Sequence, residues 1–133
     1  IIIKRRGNPI KVLVIKDMNE NWTFPKGLVE KGELHEDTAI REIYEETGLN
    51  HIQLIQKLSP IRYMYQRNGL IRKTVYYFLF ELIEDSGIHV QREEGISDAK
   101  WITLDQAKHM IGYPKTNSRL LEEVQYLLQS RKV

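Results

Sequence analysis

Three carboxylates carry the first chemical signal in this chain. Glu42, Glu45 and Glu46 stand at i, i+3 and i+4, and a helix through them brings all three to one face. Like charges so placed repel, at about 0.2–0.5 kcal/mol per pair. A cation lying between them reverses that sign. Carboxylate oxygens are hard ligands, so these residue types predict Mg²⁺ or Mn²⁺ as the cofactor. Such an ion can neutralise phosphate charge, polarise a phosphoryl oxygen and activate a water. A carboxylate within reach of that water can take its proton.

The elements that must position these side chains are legible around them. His35-Glu36-Asp37 puts acid in a first helical turn, where the macrodipole favours negative charge. Ala39, Ile40, Ile43 and Tyr44 recur at helical spacing and predict a core-facing stripe, with the acidic stripe on another side facing a cleft. Gly48 stands where a helix C-terminal glycine belongs, and Leu49 can fold back after it. Upstream, Pro25-Lys26-Gly27 and Lys31-Gly32-Glu33 predict a bending loop. Glu33 and Arg41 are expected to pair and hold that loop to the helix, orienting the ligands rather than binding the ion. The plain alternative is an acidic, solvated helix after a turn, because charge runs are usually surface faces.

The stretch from Gly27 to Leu49 resembles the Nudix box, G-x5-E-x7-R-E-U-x-E-E-x-G-U with U aliphatic. Gly27, Glu33, Arg41, Glu42, Ile43, Glu45, Glu46, Gly48 and Leu49 fill every fixed position. The resemblance implies hydrolysis of a nucleoside diphosphate linked to another group. It carries Glu42, Glu45 and Glu46 over as metal ligands, with the Gly27 carbonyl as a fourth. Glu46 is the favoured general base. Some family members take a base or a further ligand from a later loop, where Glu93 and Glu94 precede Trp101. The bland reading of that pair is a solvated acidic run.

Length and composition bound the rest. At 133 residues the chain predicts one domain, 1–133, long enough for a core. A hydrophobic fraction of 41% with 29% charged residues is that of a globular protein. The net charge of +2 gives no broad basic field for nucleic acid. No cysteine is present, which excludes disulfides and thiol chemistry and is compatible with the cytoplasm. The apolar runs are too short to cross a bilayer. Ile1-Ile2-Ile3, followed by Lys4-Arg5-Arg6, reads as a strand lacking its beginning and not as a signal peptide.

Strands are predicted over Ile1–Arg6, Lys11–Ile15 and Trp22–Phe24, with a turn at Gly7-Asn8-Pro9 and a polar loop from Asp17 to Asn21. After the box helix, Ile52–Lys57 is predicted to continue past Ser59-Pro60 to Tyr65. Arg67-Asn68-Gly69 then signals a hairpin, since Asn-Gly suits the type I′ turn. Ile71–Ile83 returns as one long strand, and Trp101-Ile102 is a short one. Thr103 is predicted to cap a helix through Met110, and Ser118–Arg131 is the last helix, with Leu120, Leu121, Val124, Leu127 and Leu128 as its core stripe. No repeat or linker interrupts the chain. The expected fold is α/β (α+β), a mixed central sheet covered on both faces, which the resemblance sharpens to a Nudix-type α/β/α sandwich.

Substrate contacts are expected from Lys26, Arg62, Tyr63, Tyr65 and Lys73. Tyrosine faces can stack on a base, and Arg or Lys can hold phosphates; sheet packing and surface exposure are the bland readings. The four histidines show no ligand spacing and read as structural or surface residues. Outside the box, WTFPKGLVEKGE, RYMYQRNGLIRKTVYYFLFEL and EEGISDAKWITLDQAKHMIGYP are similar to bacterial diadenosine polyphosphate hydrolases. That branch implies a long polyphosphate bridging two adenosines, with Lys73 on a phosphate. Nucleoside triphosphates, ADP-ribose and inositol pyrophosphates are the alternative substrates. A non-catalytic nucleotide-binding module and an RNA-processing enzyme are the alternative roles. The expected partner is a small nucleotide; the oligomeric state, monomer or homodimer, stays open.

Overall fold

The computed structural model describes residues 1–5, 9–25, 35–90 and 92–130, with the backbone alone at Tyr63 and Glu94. Its main sheet contains β1 (Ile2–Lys4), β2 (Lys11–Lys16), β3 (Trp22–Thr23), β4 (Ile52–Lys57), β7 (Phe78–Leu82) and β8 (Asp98–Thr103). β5 (Ile61–Gln66) and β6 (Leu70–Val75) pair with each other as a separate hairpin. The helices are α1 (His35–Thr47), α2 (Leu104–Met110) and α3 (Pro114–Gln129).

The sheet is mixed. β1 runs parallel to β7 and antiparallel to β2, and β2 also pairs antiparallel with β3 and β8. Alternation along the strands feeds two cores. Ile1, Ile3, Val12, Val14 and Leu79 meet the stripe of α3 on one face. Ile2, Leu13, Phe78 and Phe80 meet Ile43 of α1 on the other. The sheet is therefore covered on both sides, the sandwich that the alternation of strands and helices predicted.

Local chemistry explains the helix ends. Gly48 takes φ +78°, its N–H donating to the Tyr44 carbonyl at 2.8 Å, and Leu49 turns fully into the core. Thr103 and Gln106 form a reciprocal capping box at the start of α2, with bonds of 3.1 and 2.9 Å. α3 starts at Pro114, earlier than the predicted Ser118, because a first-turn proline has no N–H to leave unsatisfied.

Four expectations are corrected. The predicted strand from Ile71 to Ile83 is two strands: β6 ends at Val75, and β7 begins at Phe78 in the other sheet. Similarly, β4 and β5 belong to different sheets. The strand at Trp101 is six residues long, because all of Asp98–Thr103 pairs with β2. Tyr44 is 54% exposed, since it lies at the edge of the stripe rather than on it. The expected turn at Gly7-Asn8 falls outside the described residues. At the hairpin tip Asn68 and Gly69 take φ of 54° and 121°, the positive values an Asn-Gly turn needs.

Candidate active site

α1 presents its carboxylates differently from the two-sided helix the sequence suggested. Glu42 lies three residues beyond Ala39, and Glu46 lies three beyond Ile43, so both continue the inward face of the helix. Glu46 is accordingly buried, at 8% exposure. Its Oε2 has no hydrogen-bond donor against it among the described residues, although the side chain engages other groups.

Arg41 bridges the other two acids. Its Nη1 lies 3.0 Å from Glu42 Oε1 and donates to Glu45 Oε1 and Oε2 at 2.9 and 3.0 Å. The expected partner Glu33 lies outside the described residues, so that pairing stays an expectation; what the structure holds is an arginine between neighbouring carboxylates. One guanidinium thus offsets the repulsion that the i, i+3 spacing creates.

The donor chemistry suits a hard divalent ion: three carboxylates within five residues, one buried and two drawn to a cation already. Among the described residues, however, no three acidic or histidine side chains converge closely enough to enclose an ion. Gly27 and Lys26 fall outside the described residues. Glu93 and Glu94 sit in a single 3₁₀ turn, Arg92–Glu94, closed by the Gly95 N–H on the Arg92 carbonyl at 3.0 Å.

A cavity of about 320 Å³ opens beside the same helix face. His35, Thr38 and Ala39 line it from α1, and Lys73, Tyr76 and Phe78 line it from β6, the β6–β7 connection and β7. The His35 and Tyr76 rings stack at its edge, 3.7 Å apart at 18°, and Lys57 Nζ sits 5.0 Å over Tyr76. Of the predicted substrate residues, Lys73 reaches this cavity. Tyr63 is the register partner of Lys73, and Tyr65 that of Ile71, so these positions share its side of the hairpin. Arg62 pairs with Thr74 and falls on the opposite side. The sequence reading missed Tyr76 and gave His35 no site role. No local pattern links two rings so far apart in the chain.

The entry to the box is braced from the far face. Asn117 is buried at 2% exposure and donates to Thr23 Oγ1 at 3.0 Å and the Gly112 carbonyl at 2.9 Å. Tyr113, in a left-handed conformation, donates to Asp17 Oδ2 at 2.6 Å.

A mixed sheet between helices, with one acidic helix flanking a cavity that holds a lysine, defines the class as α/β/α proteins of the Nudix type. Comparison with known proteins agrees. The NUDIX domain model matches residues 1–124. The asymmetrical bis(5′-nucleosyl)-tetraphosphatase of Rattus norvegicus is 32% identical over 96% of this chain and 87% of its own length. An RNA pyrophosphohydrolase of Campylobacter jejuni is 28% identical over 80% of this chain and 75% of its own. An Ap4A hydrolase of C. elegans, in a binary complex, superposes with a TM-score of 0.79 at 24% identity, covering 98% and 94% of the two chains, which speaks for the fold. The chain belongs to the Nudix family and is a Nudix hydrolase. Enzymes of this family generally use divalent metal ions. Among the described residues no helix is long and apolar enough to cross a membrane.

Proposed function

We propose that this chain, as one domain over 1–133, cleaves a pyrophosphate linkage in nucleoside polyphosphates, with diadenosine polyphosphates as the substrate, by attack of water on phosphorus. The observation that carries the reading is the continuity of one helix face, on which Glu42 and Glu46 follow the residues lining a cavity that also takes Lys73. The tetraphosphatase from rat, similar along nearly the whole chain, supports the choice of substrate.

Glu42, Glu45 and Glu46, with the Gly27 carbonyl, are the groups to hold Mg²⁺ or Mn²⁺. The ion when bound supplies phosphate charge neutralisation and an acidified water. Glu46 accepts the proton from the attacking water, as the buried acid on this face of the helix. Glu94 is the second candidate for that task. Arg41 and Glu33 hold the ligands in place. Lys73 and Lys26 meet phosphate oxygens as point charges, and Tyr63 and Tyr65 are the remaining contacts; Arg62, on the other side of the hairpin, is not one of them. The absence of cysteine is compatible with residence in the cytoplasm.

The test is product analysis over a nucleotide panel in isotopically labelled water, with wild type, Glu45→Gln and Glu46→Gln. The reading expects asymmetric cleavage of diadenosine tetraphosphate, loss in a chelator, return with Mg²⁺, and a fall of about 10³-fold or more in both variants. Preferred cleavage of a 5′-triphosphorylated RNA or of ADP-ribose would overturn the substrate, and full activity in both variants would overturn the carboxylate roles.

A further inference from the structure

The hairpin β5–β6 does more than wall the cavity. Its inner side is anchored, with Val75 buried and Ile61 packed against the main core. Its outer side is open. Register places Arg62, Met64 and Gln66 of β5 beside Thr74, Arg72 and Leu70 of β6 on that side. Met64 is 62% exposed and Leu70 55%, and they lie diagonally adjacent, flanked by Arg72 and Arg62 and followed at the tip by Arg67. Tyr65, also exposed, is on the inner side near the same tip. No other strand pairs with the hairpin among the described residues.

Along the hairpin the charge is of one sign. Between Glu46 and Glu81 the sequence has no carboxylate, while Lys57, Arg62, Arg67, Arg72 and Lys73 fall in the same span. The whole chain carries only +2, so the remainder is net negative; of the five cations, Arg62 and Arg72 belong to the outer side of the hairpin and Arg67 to its tip. A second copy docked hairpin to hairpin would set these arginines against each other. The partner that fits is polyanionic and offers an apolar phase immediately behind its charge.

We propose that the outer side of the β5–β6 hairpin docks on an anionic lipid surface, with Met64 and Leu70 entering the interface and Arg62, Arg67 and Arg72 pairing with lipid phosphates. Long arginine stems reach the headgroup level while the neighbouring apolar side chains go deeper. Each cation near such a surface adds on the order of 1 kcal/mol. A nucleic acid strand would use the arginines, but it offers nothing to the two exposed aliphatic side chains. This is attachment to a leaflet by a projecting hairpin, and it is independent of the substrate reading above.

The experiment is co-sedimentation of the full chain with vesicles of phosphatidylcholine, with or without roughly one-third phosphatidylglycerol, across a salt series. Wild type is compared with Met64→Ser/Leu70→Ser and Arg67→Gln/Arg72→Gln, and a fluorescent oligothymidylate is titrated in parallel. Binding to the anionic vesicles alone is expected, weakening with salt. The arginine variant should bind about thirtyfold more weakly, and the aliphatic variant about tenfold more weakly with its hydrolytic activity unchanged. Absence of binding to the anionic vesicles would overturn the proposal. So would binding that ignores the aliphatic variant while the oligonucleotide binds equally well, since that describes a general polyanion site.

Discussion

The ring of His35, on the first turn of α1, lies flat on the ring of Tyr76, between β6 and β7, with centroids 3.7 Å apart. The contact joins the helix that carries the acidic residues to the point where the chain leaves the hairpin for the main sheet. It also closes one edge of the cavity.

Removing either ring should loosen that edge. His35→Ala is expected to cost about 0.5–1.5 kcal/mol of stability, the worth of a stacked pair beyond its buried area. Urea unfolding checks this. In steady-state kinetics KM should rise more than kcat falls, because the ring borders the cavity and bears no proton in the proposed reaction.

Arg41 makes a second prediction. Its guanidinium offsets the charge of Glu42 and Glu45, so Arg41→Gln should destabilise the metal-free protein by about 1 kcal/mol, discounted for the partial exposure of Glu45. In the proposed site a divalent ion would take over the same neutralisation. The rise in melting temperature on adding Mg²⁺ should be larger in the variant than in wild type, as differential scanning fluorimetry would show. An equal rise in both would separate Arg41 from the ion site.

Asn117→Ala should cost about 2–3 kcal/mol, because it removes a buried donor from both Thr23 and the Gly112 carbonyl. Asn117→Asp should be worse, since it turns an acceptor toward a carbonyl oxygen. Chemical denaturation of the two variants ranks them.

Lys73→Ala should lower kcat/KM on long polyphosphates more than on short ones, since a point charge on the cavity wall is felt by phosphates far from the scissile bond. Equal loss on both chain lengths would remove the lysine from substrate binding.

What could be read from the sequence was local. Gly48 with Leu49, the Thr103 cap, and Asn68-Gly69 are governed by neighbours in the chain, and each is found where its residue types placed it. The break between Val75 and Phe78 was hidden, because no glycine or proline marks it and every residue there suits a strand. Tyr44 met the helical spacing yet points to solvent, since periodicity gives a face but not its edge. The burial of Glu46 contradicts what its charge suggests, and the pairs His35–Tyr76 and Asn117–Thr23 arise from contacts between distant segments, which spacing cannot show.

The two residues between β6 and β7 have a mechanical consequence. Tyr76 and Tyr77 belong to neither ladder, and the Leu58 N–H on the Tyr77 carbonyl, at 2.9 Å, is a bond between connecting segments. Among the described residues no strand pairing ties the hairpin to the main sheet, so its hold comes from packing, with Val75 and Tyr77 in one buried cluster. Because Tyr76 also rests on His35, the exit of the hairpin and the start of the acidic helix share one ring pair, and a change at either should be felt at the other.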